Sequence, residues 1–151
     1  MRKRILIMVP FLLLVVVASI AFCSWYFNPR AIFQRKFNFK LPNSVEILNK
    51  SYSFYYDSLE MKVCFDGNDY QKIAIGMKGY ATSYGLYEIE SEADKRMPTV
   101  RELCSWLNGE EEEFISAYIA STQGRWRAKT REICVLITQN NEGQYFLHVY
   151  N

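Results

Sequence analysis

The chain has 151 residues, half of them hydrophobic, with 11 tyrosines and a formal charge of +2. Three of its 18 basic residues, Arg2, Lys3 and Arg4, precede the apolar run that begins at Ile5; without them 15 basic stand against 16 acidic residues, formally −1. A near-neutral remainder gives nucleic-acid binding no bulk electrostatic support. The 124 residues from 28 to 151 suffice for one domain with a genuine core.

Residues 1–4 form a basic tail, and Ile5 to Phe27 follow as 23 residues without a charge. An apolar run of about 20 residues matches the hydrocarbon thickness of a bilayer when helical. A helix satisfies its own backbone groups there. Trp25 and Tyr26 stand at the far end, where amphipathic rings favour the headgroup region, and Arg2, Lys3, Arg4 and Arg30 flank the run as interface residues. The expectation is a transmembrane signal-anchor over 5–27. The alternative is a secretory signal cleaved near Ala21, since Ser19-Ile20-Ala21 is a small-x-small site. A lipoprotein site at Cys23 is a poor fit, because Phe22 occupies the place of a small residue. Three charges abutting the helix favour a cytoplasmic N-terminus and a domain outside the cytoplasm.

Residues 28–41 read as a juxtamembrane linker in which basic residues alternate with Phe33, Phe37 and Phe39. Its phenylalanines are expected to dock on the domain at 42–151. Anionic headgroups are the other destination for such a mixture.

Within the domain, Val45–Leu48 and Ser51–Tyr56 predict a strand, Asp57-Ser58 a turn, and Leu59–Phe65 a second strand. Leu59, Met61, Val63 and Phe65 alternate with Glu60, Lys62 and Cys64, the period of a half-buried antiparallel strand. Asn68-x-x-Gln71 predicts a capping box for a helix running to about Lys78, with Tyr70, Ile73, Ala74 and Met77 on one face and Gly79 beyond its end.

Tyr80, Tyr84 and Tyr87 then lie among small residues, followed by Glu88, Glu90, Glu92 and Asp94. Carboxylates in this spacing lack the fixed glycine and acid pattern of a calcium loop, so a solvated acidic loop is expected. Thr99-x-x-Glu102 predicts a second helix with Val100, Leu103, Cys104 and Leu107 inward. Four consecutive acids, Glu110 to Glu113, predict a third helix, because acids complement the positive end of its dipole. Phe114, Ile115, Tyr118 and Ile119 would be its buried face.

Arg125, Arg127, Lys129 and Arg131 share parity with core-directed Ile133, Val135 and Ile137, which predicts a bulge near 130–132. Ile133–Gln139 and Gln144–Tyr150 predict a terminal hairpin. The sum is an α+β chain in which a transmembrane helix leads into a two-layer domain. That domain is a β-β-α-α-α-β-β antiparallel sheet of about four strands, with helices on one face.

Catalytic signatures are missing: there is no GxSxG, P-loop, GxGxxG or HExxH. No CxxC or Cys/His cluster is present, so no metal or cofactor is expected. Cys64, Cys104 and Cys134 allow one disulfide in an oxidising compartment, and their spacing does not choose the pair. The functional expectation is non-catalytic binding of a protein partner from a membrane-anchored envelope position. Tyr80, Tyr84, Tyr87, Arg125, Trp126 and Arg127 are the candidate contact residues. Two alternatives are a thiol-dependent hydrolase using Cys134 and His148, and a sensor of anionic envelope polymers or lipids through residues 30–40 and 125–131.

Overall fold

The computed structural model describes residues 2–53, 57–105, 111–123 and 130–151, with side chains described from residue 10 onward except at 120–131. The chain runs through α1 (Arg2–Tyr26), α2 (Pro29–Phe37), β1 (Glu46–Ser53), β2 (Ser58–Phe65), α3 (Gly67–Tyr84), β3 (Tyr87–Ile89), α4 (Met97–Leu103), β4 (Glu113–Gln123), β5 (Thr130–Gln139) and β6 (Tyr145–Tyr150). The strands form one antiparallel sheet of six, in the order β1-β2-β6-β5-β4-β3. The fold class is therefore α+β, with two more strands than the sequence pattern predicted.

The helices do not share one face. Ile32, Phe33 and Phe37 of α2 and Ile73, Met77, Tyr80 and Ala81 of α3 pack on the sheet side carrying Leu59, Met61, Val63, Val135, Ile137, Leu147 and Val149. Met97, Val100 and Cys104 cover the opposite side, against Ala117, Ile119, Cys134 and Leu136. A strand between two apolar layers loses its polar face, which is why Ile133 to Thr138 are buried without interruption.

That two-sided burial explains the main departure from expectation. Residues 113–123, predicted as a third helix, form the long strand β4 between β3 and β5. Phe114, Ile115, Tyr118 and Ile119 satisfy helical spacing, but they equally suit a strand packed on both sides, and aromatic and β-branched residues prefer it. A bulge between Phe114 and Ser116 shifts the parity within the strand. No bulge occurs near 130–132, where Ser121↔Glu132, Thr122↔Arg131 and Gln123↔Thr130 pair in unbroken register.

The linker is also reshaped. Asn28 caps α2 by accepting from the Arg30 and Ala31 amides at 2.9 and 3.4 Å, and Pro29 occupies the first helical position. Residues 28–41 are thus largely part of the fold, since Ile32, Phe33, Phe37 and Leu41 are core residues.

Helix α3 starts two residues earlier than expected and ends later. Asp66 is its N-cap, accepting from the Asn68 and Asp69 amides at 2.9 and 3.3 Å. The helix passes through Gly79 and stops at Gly85, whose φ of 66° is the left-handed conformation glycine tolerates. Gly76 has a different reason to be glycine. A Cβ there would sit 2.5 Å from the Phe39 ring, whereas one at Gly79 would meet nothing within 4 Å.

Two substitutions separate those roles. Gly79→Ala should stabilise the domain by about 0.5–1 kcal/mol through helix propensity. Gly76→Ala gains the same propensity but overpacks Phe39, at about 1–3 kcal/mol, so it should be net destabilising. Urea unfolding of the detergent-solubilised chain measures both; equal effects at the two sites would refute the packing argument.

Candidate functional site

The sheet side that carries α4 also holds a compact polar cluster. Lys62 on β2, His148 on β6 and Thr138 on β5 project from three adjacent strands, with Lys62 directly opposite His148 in register. Glu112, one residue ahead of β4, reaches across to all three. Its Oε1 accepts from the Lys62 ammonium, and its Oε2 accepts from the Thr138 hydroxyl at 2.5 Å and from His148 Nε2 at 2.8 Å. Thr138 Oγ1 and His148 Nε2 are themselves 3.0 Å apart. These contacts assign the Nε2 proton to His148. The Lys62 ammonium also lies 4.7 Å from the centre of the Phe146 ring.

The cluster is dry. The side chains of His148, Glu112 and Lys62 are 0%, 6% and 15% exposed. Burial alone would push the Glu112 carboxyl upward, but hydrogen bonds from His148, Lys62 and Thr138 outweigh it and hold the group at about 2. Such a carboxylate is ionised at neutral pH, and its lone pairs are already engaged. It is a weak proton acceptor, and it has no proton to give.

The adjoining cleft, lined by Met97, Arg101, Glu112, Phe114, Leu136 and Thr138, encloses about 170 Å³ including space open to solvent. Almost none of that space would admit a water molecule, whereas small-molecule sites enclose roughly 300–1,000 Å³. The geometry fits an ionic tie among four chain segments better than a reaction centre.

The thiol readings fare similarly. His148 contacts Glu112 and Thr138, while the Cys134 sulfur lies 3.5 Å from that of Cys104, and all three residues are fully buried. The Cys134 thiol is pushed upward, first by its contact with Cys104 and then by burial. Burial, then the nearby Glu46 charge, raises the Cys64 thiol. Neither has the electropositive, accessible setting of a reactive thiolate.

The three candidate tyrosines separate. Tyr80 is core, 6% exposed, with its ring 4.8 Å from Phe37 and 4.6 Å from Tyr84, and burial pushes its phenol up to about 12. Tyr84 and Tyr87 remain 57% and 64% exposed on either side of the α3–β3 turn. Arg96 stacks over Tyr87 at 5.2 Å, and Asp94 holds Arg96 through two side-chain hydrogen bonds at 2.9 and 2.7 Å. Arg125, Trp126 and Arg127 lie outside the described residues.

The membrane-interface candidates are built into a joint between α1 and α2. Arg2, Lys3 and Arg4 belong to α1, with side chains outside those described. Trp25 is exposed, and Arg35 of α2 donates to the Tyr26 carbonyl at 2.5 Å while lying 4.3 Å from the Tyr26 ring centre. Arg30 turns inward, donating to the Pro42 carbonyl at 2.6 Å and to the carbonyls of Asn43 and Val45.

No family model matches the chain, and no curated protein or solved structure is similar to it. The polar cluster escaped the sequence reading because Lys62 looked solvent-facing and Glu112 sat within an acidic run. The lone histidine was the available signal. Its polar partners come from positions 10 to 86 residues away, which no local pattern exposes.

Removing the Glu112 charge should be costly. Glu112→Gln leaves the half-buried Lys62 uncompensated, at the lower end of about 3–5 kcal/mol because its side chain, 15% exposed, can reach water. Titrating at about 2 when folded and near 4.5 when unfolded, the carboxylate contributes stability above about 4.5 that is lost as the pH falls through about 2. The stability gap between the native chain and Glu112→Gln, followed by denaturant unfolding, should therefore shrink across that window. A gap that stays constant would show that Glu112 does not act through its charge.

Proposed function

We propose that this chain is a single-pass envelope protein in which α1 anchors the domain outside the cytoplasm, and the domain binds a protein partner without catalysis. The observation that carries the first half is the exposure of α1. Phe11, Leu12, Leu13 and Leu14 are 66–70% exposed, and Val16, Val17, Ile20 and Phe22 are open as well. A helix apolar all round belongs in a core or in a bilayer, and here no core covers it.

Among the described side chains, which begin at Pro10, no single helix is long and apolar enough to cross a membrane. The pair Pro10–Tyr26 and Pro29–Phe37, bent by 55°, meets the criterion together. Because Ile32, Phe33 and Phe37 of α2 are buried in the domain, α1 is the part left for lipid. From Ile5 to Tyr26 it is roughly 33 Å long, and sequence continues the apolar run to its start.

The last turn of α1 is tied to the domain. A cut near Ala21 would leave Tyr26 on Arg35 and Phe27 6.4 Å from Tyr52 of β1, so these contacts fit either form and cleavage is decided by the mass of the mature chain. An intact joint fixes how the domain leaves the membrane surface.

For the second half, the exposed tyrosines at the α3–β3 turn supply aromatic area suited to a protein contact. The anionic-polymer alternative loses ground within 30–40: Arg30, Arg35 and Lys36 are all committed, Lys36 to Asp57 at 3.1 Å.

Cell fractionation with intact-mass measurement should find the full-length chain in the membrane fraction. A soluble species roughly 2 kDa lighter, beginning near Phe22, would establish a cleaved signal instead. In-cell crosslinking should capture a discrete protein from the native chain, and the yield should fall on changing Tyr84 and Tyr87 to Ser. Capture that is indifferent to both changes would remove the turn from the contact surface.

A further inference from the structure

We propose that Cys104 and Cys134 are joined by a structural disulfide in the mature protein, leaving Cys64 and Cys23 as thiols. The two sulfurs face each other at 3.5 Å in the small core beneath α4, and both residues are fully buried. A disulfide is about 2.05 Å long, so closure requires about 1.5 Å of approach. Cys104 is the C-cap residue of α4, at the end of a seven-residue helix, where small side-chain and backbone adjustments are available. Cys134 is fixed in β5 opposite Tyr150.

The sheet register excludes the other partners. Cys64 on β2 stands opposite Glu46 and Phe146, two strands away from β5 in the sheet order, and Cys23 belongs to α1.

The physical need for the bond lies in α4. Seven residues are too few for a helix to persist alone, and its buried contacts are essentially Met97, Val100 and the Cys104 side chain itself. A covalent tie from its last turn to a central strand would hold the cover over this side of the sheet.

The reaction is thiol–disulfide exchange with a disulfide donor of the oxidoreductase or glutathione class. One cysteine thiolate attacks the donor disulfide and forms a mixed disulfide. The second thiolate then displaces the donor sulfur. The donor leaves as two thiols carrying the two protons, and the protein gains one S–S bond. Folded burial blocks access and suppresses the Cys134 thiolate, so the bond forms before α4 docks and is sheltered from reductant afterwards. In cells it rests on the extracytoplasmic placement proposed above, because cytosolic thiols are kept reduced.

The full-length chain, purified in detergent, reduced in urea and refolded in a glutathione redox buffer, should yield one bridge. Alkylation under denaturing conditions and non-reducing peptide mapping should link Cys104 to Cys134 and label Cys23 and Cys64. The oxidised protein should melt about 10 °C above the reduced one. A double change, Cys23→Ser with Cys64→Ser, should keep the bridge. Labelling of Cys104 and Cys134 after refolding, or a bridge involving Cys64, would overturn the pairing. Trapping thiols in intact cells before lysis tests the compartment separately. If the refolded chain bridges but the cellular chain is reduced, the pairing stands as a property of the fold, while the external location and the native bond both fail.

Discussion

Strand β6 hydrogen-bonds to β2 on one side and to β5 on the other, and this double pairing is the constraint on which the rest of the domain depends. The β1–β2 hairpin and the β3–β4–β5–β6 meander are otherwise separate units. Only when the last strand enters beside the second do the two become one sheet, with the final residue, Asn151, exchanging backbone hydrogen bonds with Leu59 at 2.7 and 3.0 Å. These partners are about 90 residues apart in sequence, so their pairing carries a large loop-closure cost. Burial of Met61, Val63, Leu147 and Val149 beneath α2 and α3 offsets it.

The same pairing creates the polar cluster. Lys62 and His148 face each other because β2 and β6 are neighbours, and Thr138 joins them because β5 is next in line. Glu112 then closes the arrangement from the start of β4. Each charge removed from water is repaid by a counter-charge and a hydrogen bond; without its partners any one of them would be a liability in this setting. The cluster occupies the stretch of this sheet side that the short α4 does not fill with hydrocarbon. Catalytic carboxylates are generally tuned to exchange protons near the working pH. Glu112 is tuned in the opposite direction.

Helices α1 and α2 are bent by 55° and joined by Arg35 contacts rather than by a loose tether. The linker composition that suggested headgroup binding is used within the molecule. Phe33 and Phe37 fill the core, Phe39 packs against it, Arg30 and Arg35 bind carbonyls, and Lys36 pairs with Asp57. The contacts of Arg35 with Tyr26 therefore fix the direction in which α1 leaves the domain.

Local chemistry made much of this architecture legible in the sequence. Alternation at Leu59–Phe65, turn residues around Asp57 and Asn140–Gly143, and the uncharged run from Ile5 to Phe27 identified β2, two hairpins and α1, because each signal is complete within a few neighbouring residues. The strand at 113–123 was misread, since apolar residues on both faces satisfy helical and extended periodicities alike. The apolar layer from α4 that makes both faces buried is not a local property. Tyr80 looked like surface for the same reason, until Phe37 covered it. By itself the sequence determined the apolar leader, the α+β composition and the lack of familiar catalytic signatures. Only the tertiary structure decided which sulfurs meet, which charges become neighbours and which helix covers which side, because each depends on register between strands far apart in the chain.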